Sequence, residues 1–175
     1  MPPTRRADAE RNRDKILDAA RNAFAEPGTE PSMAEIARRA GVGMATLYRN
    51  FPGRRELLEA LYTDDIEALV EQAEGLEFTE WLHRFLDFKS GSKHEIVIEL
   101  LTHVDGSNPM FEGNRERVIA TGRPLLEAAQ ASGEIRADLT LEQILDMVVA
   151  IAKIQGDPDY LEPILHAALE GLRPA

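Results

Sequence analysis

Thr46, Tyr48, Arg49, Asn50 and Arg54 place a hydroxyl, a phenol, an amide and two guanidinium groups in one short stretch. Groups of these types donate hydrogen bonds to phosphate oxygens. Met44 beside Ala45 adds apolar surface that suits a thymine methyl, unless the methionine folds back onto a core. This is binding chemistry. Nothing comparable exists for bond-making. His83, His94, His103 and His166 are scattered, with no i, i+4 pair to start a metal site. The chain has no cysteine, and it shows no phosphate loop, nucleophile elbow or glycine-rich dinucleotide turn. No enzyme, metal or cofactor is expected.

Such a set must be presented by elements that hold it outward. A helix is expected over residues 8–26, with Ile16, Leu17, Ala20, Ala23 and Phe24 on one stripe and Pro27-Gly28 as its stop. Ser32-Met33-Ala34-Glu35 has the form of a capping box, in which Ser32 accepts from the third helical N–H and Glu35 reaches back. It opens a short helix over 33–40 that buries Ile36, Ala37 and Ala40. Gly41 ends that helix. Another follows over 44–50, with Leu47 and Phe51 inward, and Pro52-Gly53 breaks it. Two short helices joined by a turn over 41–43 make a helix-turn-helix. Ile36, Val42, Leu47 and Phe51 form its core, which leaves Met44, Ala45, Thr46, Tyr48, Arg49 and Asn50 outside. A helix held this way fits a DNA major groove. Arg5, Arg6, Arg11 and Arg13 precede it as a candidate mobile basic arm.

The apolar spacing stays helical to the end. Helices are expected over 54–74, 79–89, 92–104 and 110–132, then one capped by Thr140 and one opened by Asp157-Pro158. Pro124 is expected to kink the long one. The fold class is therefore all-α, about nine helices: an N-terminal three-helix helix-turn-helix domain over 1–55 and a larger helical domain over 56–175, which the resemblance described below makes a ligand-binding and dimerisation domain. The net charge of −11 divides between them. Residues 1–55 carry 11 Arg and Lys against 7 Asp and Glu, and the remainder carries 9 against 24. A basic head on an acidic body suits a head that meets an anion. No segment is apolar over bilayer length, and the N-terminus lacks a signal-peptide core. A soluble, cytoplasmic protein with no membrane partner is expected.

The stretch from Ala40 to Arg54 resembles the signature of the tetracycline-repressor family of bacterial regulators. So do Ile16-Leu17-Asp18-Ala19-Ala20 with Phe24, and Met33-Ala34-Glu35-Ile36-Ala37. The resemblance covers about residues 11–62. It implies that Thr46 and Tyr48 touch phosphate or base, that Met44 and Ala45 lie over base edges, and that Asn50 and Arg54 reach the backbone. Ser32, Arg38 and Arg49 complete the candidate DNA-binding set. Gly43 stands where the family usually has a serine cap. The resemblance further implies a homodimer on a palindromic double-stranded DNA operator, with Leu161, Leu165, Ala168 and Leu172 as candidate interface. It implies release by a small-molecule effector, with Trp81, Phe85, Phe88, His103, Met110, Phe111 and Met147 as candidate lining. The alternative is a helix-turn-helix adaptor that binds protein instead of DNA.

Overall fold

Three- and four-residue spacing of apolar side chains buries one stripe of most of the described helices. The computed structural model describes residues 5–26, 30–90, 109–152, 154 and 158–174. Its helices are α1 (Arg5–Phe24), α2 (Met33–Ala40), α3 (Met44–Asn50), α4 (Arg54–Glu71), α5 (Phe78–Ser90), α6 (Pro109–Ala131), α7 (Leu141–Ala152) and α8 (Pro158–Glu170). Among the described residues there is no strand. The helix expected over 92–104 lies outside the described residues. Among those described, no helix is long and apolar enough to cross a membrane.

Two compact units divide the chain. The first contains α1 to α3 and α4 as far as Asp65. Ile16, Leu17, Ala20, Ala23 and Phe24 of α1 are buried with Ile36 and Ala37 of α2, Leu47 of α3, and Phe51. Leu57, Leu58, Leu61 and Tyr62 of α4 are buried too. The unit thus runs past the expected boundary at residue 55, because four large α4 side chains pack after the Pro52-Gly53 break. Ala40 and Val42 are half-buried rather than central. The expected basic arm is not separate from the fold: α1 begins at Arg5, and an Arg11–Asp8 ion pair one turn apart supports the helix there.

The second unit takes the rest of α4 with α5, α6 from Phe111 onward, α7 and α8. Phe78, Trp81, Leu82, Phe85 and Leu86 form the buried stripe of α5. Val118, Gly122, Leu126 and Ala129 do so for α6, and Leu141, Ile144, Leu145 and Val148 for α7. Thr140 caps α7 reciprocally: its Oγ1 accepts from the Gln143 N–H at 3.3 Å, and its own N–H donates to Gln143 Oε1 at 2.9 Å. Pro124 sits inside α6, which continues through it as one element, and Pro163 likewise lies inside α8. Both prolines are exposed, so each ring meets solvent.

Candidate nucleic-acid interface

The turn between α2 and α3 is built on Gly41, whose φ of 66° and ψ of 31° are left-handed. There the Val42 N–H donates to the Ala37 carbonyl at 3.0 Å and the Gly41 N–H to the Arg38 carbonyl at 3.2 Å. These crossed bonds satisfy the helix end and reverse the chain within two residues. A Cβ disfavours this conformation, so glycine suits the position. Gly43 then adopts extended backbone, and its carbonyl accepts from the Thr46 and Leu47 N–H groups at 2.9 and 3.0 Å. No side chain caps α3.

Leu47, completely buried, pins α3 to the core, and Phe51 closes its end. The opposite face looks outward. Met44 is 38% exposed and Tyr48 47%, with Ala45 and Arg49 exposed beside them. Met44 therefore does not fold back. Thr46 and Asn50 are half-buried. Arg49 Nη2 donates to Thr46 Oγ1 at 3.2 Å, and Asn50 Nδ2 donates to the Thr46 carbonyl at 2.8 Å. The Asn50 amide thus serves the C-terminus of α3.

Ser32 performs half of the expected capping box: its Oγ accepts from the Glu35 N–H at 3.2 Å. The Glu35 carboxylate turns instead to Arg38 and Arg39. Arg38 grips it through two nitrogens, at 2.9 and 2.6 Å, and Arg39 through Nε at 2.6 Å. Hydrogen bonds from Arg38 and then Arg39 pull Glu35 down to about 2. Arg39 also holds Glu26, with Nη2 donating to Oε2 at 2.9 Å, which holds Glu26 below the usual carboxylate range. Two guanidinium groups of α2 are therefore committed to carboxylates within the unit.

Arg54 is also engaged: its Nη1 donates to the Pro31 carbonyl, and its guanidinium lies over the Phe24 ring at 5.2 Å. Arg13 of α1 covers Phe51 in the same way at 5.3 Å. Position within the unit is further fixed by Arg21, which the sequence reading had not singled out. It donates to Asp65 at 3.1 Å and to Asp64, tying α1 to α4. Asp65 is 4% exposed. Burial of the Arg21 guanidinium opposes its charge, but Asp65 and Asp64 outweigh that and hold it above its ordinary value.

The other expected sites fall in different surroundings. Trp81 and Phe85 are buried together on α5, while Phe111 and Met147 are half-buried. Met110 is half-buried as well. The Phe88 side chain and His103 lie outside the described residues. Leu161, Leu165 and Ala168 are half-buried on α8. Leu172 is 2% exposed, and its carbonyl accepts from the Arg136 N–H at 2.8 Å, so it belongs to the interior of its own unit.

A short helix pinned by one leucine, turned out by a left-handed glycine and armed with exposed Met44, Tyr48 and Arg49 defines a helix-turn-helix protein. The family model "Bacterial regulatory proteins, tetR family" matches residues 16–61, and that of the "Transcriptional regulator SbtR-like, C-terminal domain" matches residues 75–174. A TetR transcriptional regulator from Streptomyces coelicolor is 35% identical, with 93% of this chain and 99% of that one covered and a TM-score of 0.72. A TetR transcription regulatory protein from Mycobacterium vanbaalenii is 31% identical over 97% of this chain and 99% of that one, with a TM-score of 0.70. An HTH-type transcriptional regulator of Mycobacterium bovis is 27% identical over 163 residues, which cover 88% of this chain and 85% of the relative. The chain belongs to the TetR family of bacterial transcriptional regulators. The match to the C-terminal model extends the likeness well past the region that carried it in the sequence alone.

Proposed function

We propose that the chain is a dimeric repressor that reads a palindromic operator with α3 and leaves it when a small-molecule effector binds the second unit. The observation that carries this reading is the outward face of α3, where Met44 and Tyr48 stand exposed while Leu47 between them is completely buried. Met44 and Ala45 meet thymine methyls in each half-site, and Tyr48, Thr46 and Arg49 bind the flanking phosphates. Arg54 and Asn50 stand beside the DNA backbone while keeping their structural bonds. Ser32 and Arg38 flank the contact from α2. The α8 face with Leu161, Leu165 and Ala168 pairs with its copy across a two-fold axis, which makes the operator palindromic. Effector release needs only that the effector bind one arrangement of the reading units better than the other. The α4 helix is the natural lever, because its residues serve both units.

The test is selection of genomic fragments by the purified protein at moderate salt, beside a Thr46→Ala, Tyr48→Ala double variant. The native protein should enrich one palindrome with A·T pairs under α3, and the variant should enrich none while melting within a few degrees of the native protein. Equal enrichment by the variant, or none by a folded native protein, would refute the reading.

A further inference from the structure

Arg38 and Arg39 are adjacent in sequence, but they stand in different surroundings. Neighbouring residues of a helix point about 100° apart, so the two guanidinium groups leave α2 on different sides. The Arg38 side chain is 73% exposed and that of Arg39 only 29%. Arg39 meets Glu26 as a two-pronged pair, Nη1 to Oε1 and Nη2 to Oε2, the latter at 2.9 Å. Its Nε donates to Glu35 at 2.6 Å. Hydrogen bonds to Glu26 and then to Glu35 hold the guanidinium above its ordinary value. A forked pair of this kind fixes orientation as well as distance, which a lysine cannot do.

The two places that the fork joins give it a role. Glu26 directly follows α1, which ends at Phe24 with that ring buried in the core. Arg39 lies in the last turn of α2, just before Gly41. The buried side chains of α2 are Ile36 and Ala37, while Ala40 is half-buried. The core therefore holds the middle of α2, and the fork holds its end. From that end the left-handed Gly41 turn launches α3, so a tilt in the last turn of α2 becomes a displacement of Met44 and Tyr48. We infer that Arg39 is a positioning residue of the reader: its grip on Glu26 sets the angle of α3, and it does so without touching DNA. This rests on the DNA-reading function proposed above.

Charge and position predict opposite signs for one substitution. Glu26→Ala removes a negative charge from the first unit. Were Arg39 a phosphate contact, losing its carboxylate partner would tighten binding to every duplex. With Arg39 as a positioning residue, the variant should instead lose operator affinity by about three- to fivefold, the upper part of what an exposed ion pair contributes. Full-length native protein, Glu26→Ala, Arg39→Lys and Glu30→Ala, each shown folded by its melting curve, are compared on the selected palindrome and on an arbitrary duplex of equal length. Glu26→Ala and Arg39→Lys should weaken on the palindrome alone. Glu30→Ala removes the same charge from a nearby exposed position and should weaken on neither. Tighter palindrome binding by Glu26→Ala, native binding by Arg39→Lys, or an equal loss in Glu30→Ala would overturn the assignment. A second arm uses no DNA: in nitrogen-labelled protein the amide resonances of α3 should shift in Glu26→Ala and stay in place in Glu30→Ala. Resonances of α3 unmoved by Glu26→Ala would overturn the assignment as well. Because that arm needs no operator, it still decides the role of Arg39 if operator selection fails, and the two ideas fail separately.

Discussion

Replacing Gly122 with alanine sets two opposing effects against each other, and the sign of the result reports how firmly Trp81 is held. Gly122 lies in the middle of α6, where alanine is favoured over glycine by about 1 kcal/mol. In this helix, however, the new Cβ would fall 2.3 Å from Trp81 Cη2, 2.6 Å from Cζ3 and 3.1 Å from a Leu141 methyl. Ordinary contact begins near 3.4 Å, so the ring would have to retreat by about 1.1 Å. Phe78 and Phe85 flank it and the indole is completely buried, so no easy retreat exists. Overpacking of this kind costs about 1–3 kcal/mol, which at the upper part of that range, expected for so close a contact, exceeds the propensity gain. Gly122→Ala should therefore destabilise by up to about 2 kcal/mol and lower Tm by up to about 8 °C for a chain of this size. Circular-dichroism melts at one fixed protomer concentration measure it, with the single tryptophan's emission recorded alongside. In a Trp81→Phe background the smaller ring frees the space, and alanine at 122 should become neutral or stabilising, a coupling of about 1 kcal/mol or more. A rise in Tm for the single variant, or no coupling in the double, would refute the packing argument.

Two other substitutions probe the reading unit. Arg21→Met leaves Asp65 buried without its cation and should cost about 2 kcal/mol, a Tm loss of about 4–8 °C. Asp18→Asn, at an exposed partner of the same arginine, should change Tm by no more than a degree or two, and an equal loss in both would refute the assignment of the effect to Asp65. Glu35→Gln removes a carboxylate held down to about 2 against an ordinary 4.5. A depressed carboxylate contributes stability that is complete above about 4.5 and lost as pH falls toward 2, so the variant should melt below the native protein near pH 7, with the two converging as pH falls through that window and the variant's acid limb flattened. It should also free Arg38 and steepen the salt dependence of operator binding, as filter binding across a salt series would show.

What the sequence made legible was local. The α1 stripe, the Ser32 cap, the Gly41 turn and the Pro52-Gly53 break depend on neighbours within a few residues, and the structure places them as read. The extension of the first unit to Asp65 was not legible, because a strong break precedes α4 at Pro52-Gly53 while Leu57, Leu58, Leu61 and Tyr62 are buried beyond it. The capping box was half legible. Its hydroxyl bond is dictated by spacing, but the Glu35 carboxylate had two arginines within the next turn, and charge-assisted bonds are stronger than a bond to one backbone N–H. The Arg21–Asp65 pair spans 44 residues, and no periodicity reports which of many surface charges will meet. Gly122 has the spacing of one member of the α6 stripe, yet its reason for being glycine lies on α5. In the same way Leu172 has the spacing of an α8 interface residue, and only the chain's return past Arg136 shows that it faces inward.

The reading unit's charge also looks different once its partners are known. Its excess of basic residues suggests a phosphate-gripping surface, but much of that excess is already engaged. Arg38 and Arg39 hold Glu35 and Glu26, Arg21 holds Asp18, Asp64 and Asp65, Arg11 holds Asp8, and Arg13 and Arg54 lie on phenylalanine rings. Cations engaged in this way release fewer counterions when they approach DNA. The contribution left to neutral donors and apolar contacts is correspondingly larger, and those are the groups α3 displays: the Tyr48 phenol, the Thr46 hydroxyl, and the exposed Met44 and Ala45. On the proposed function, a surface of that kind binds weakly to arbitrary DNA and gains its affinity where the base edges fit. That division of labour is how a chain with a net charge of −11 can read an anionic polymer without a strongly basic surface to hold it there.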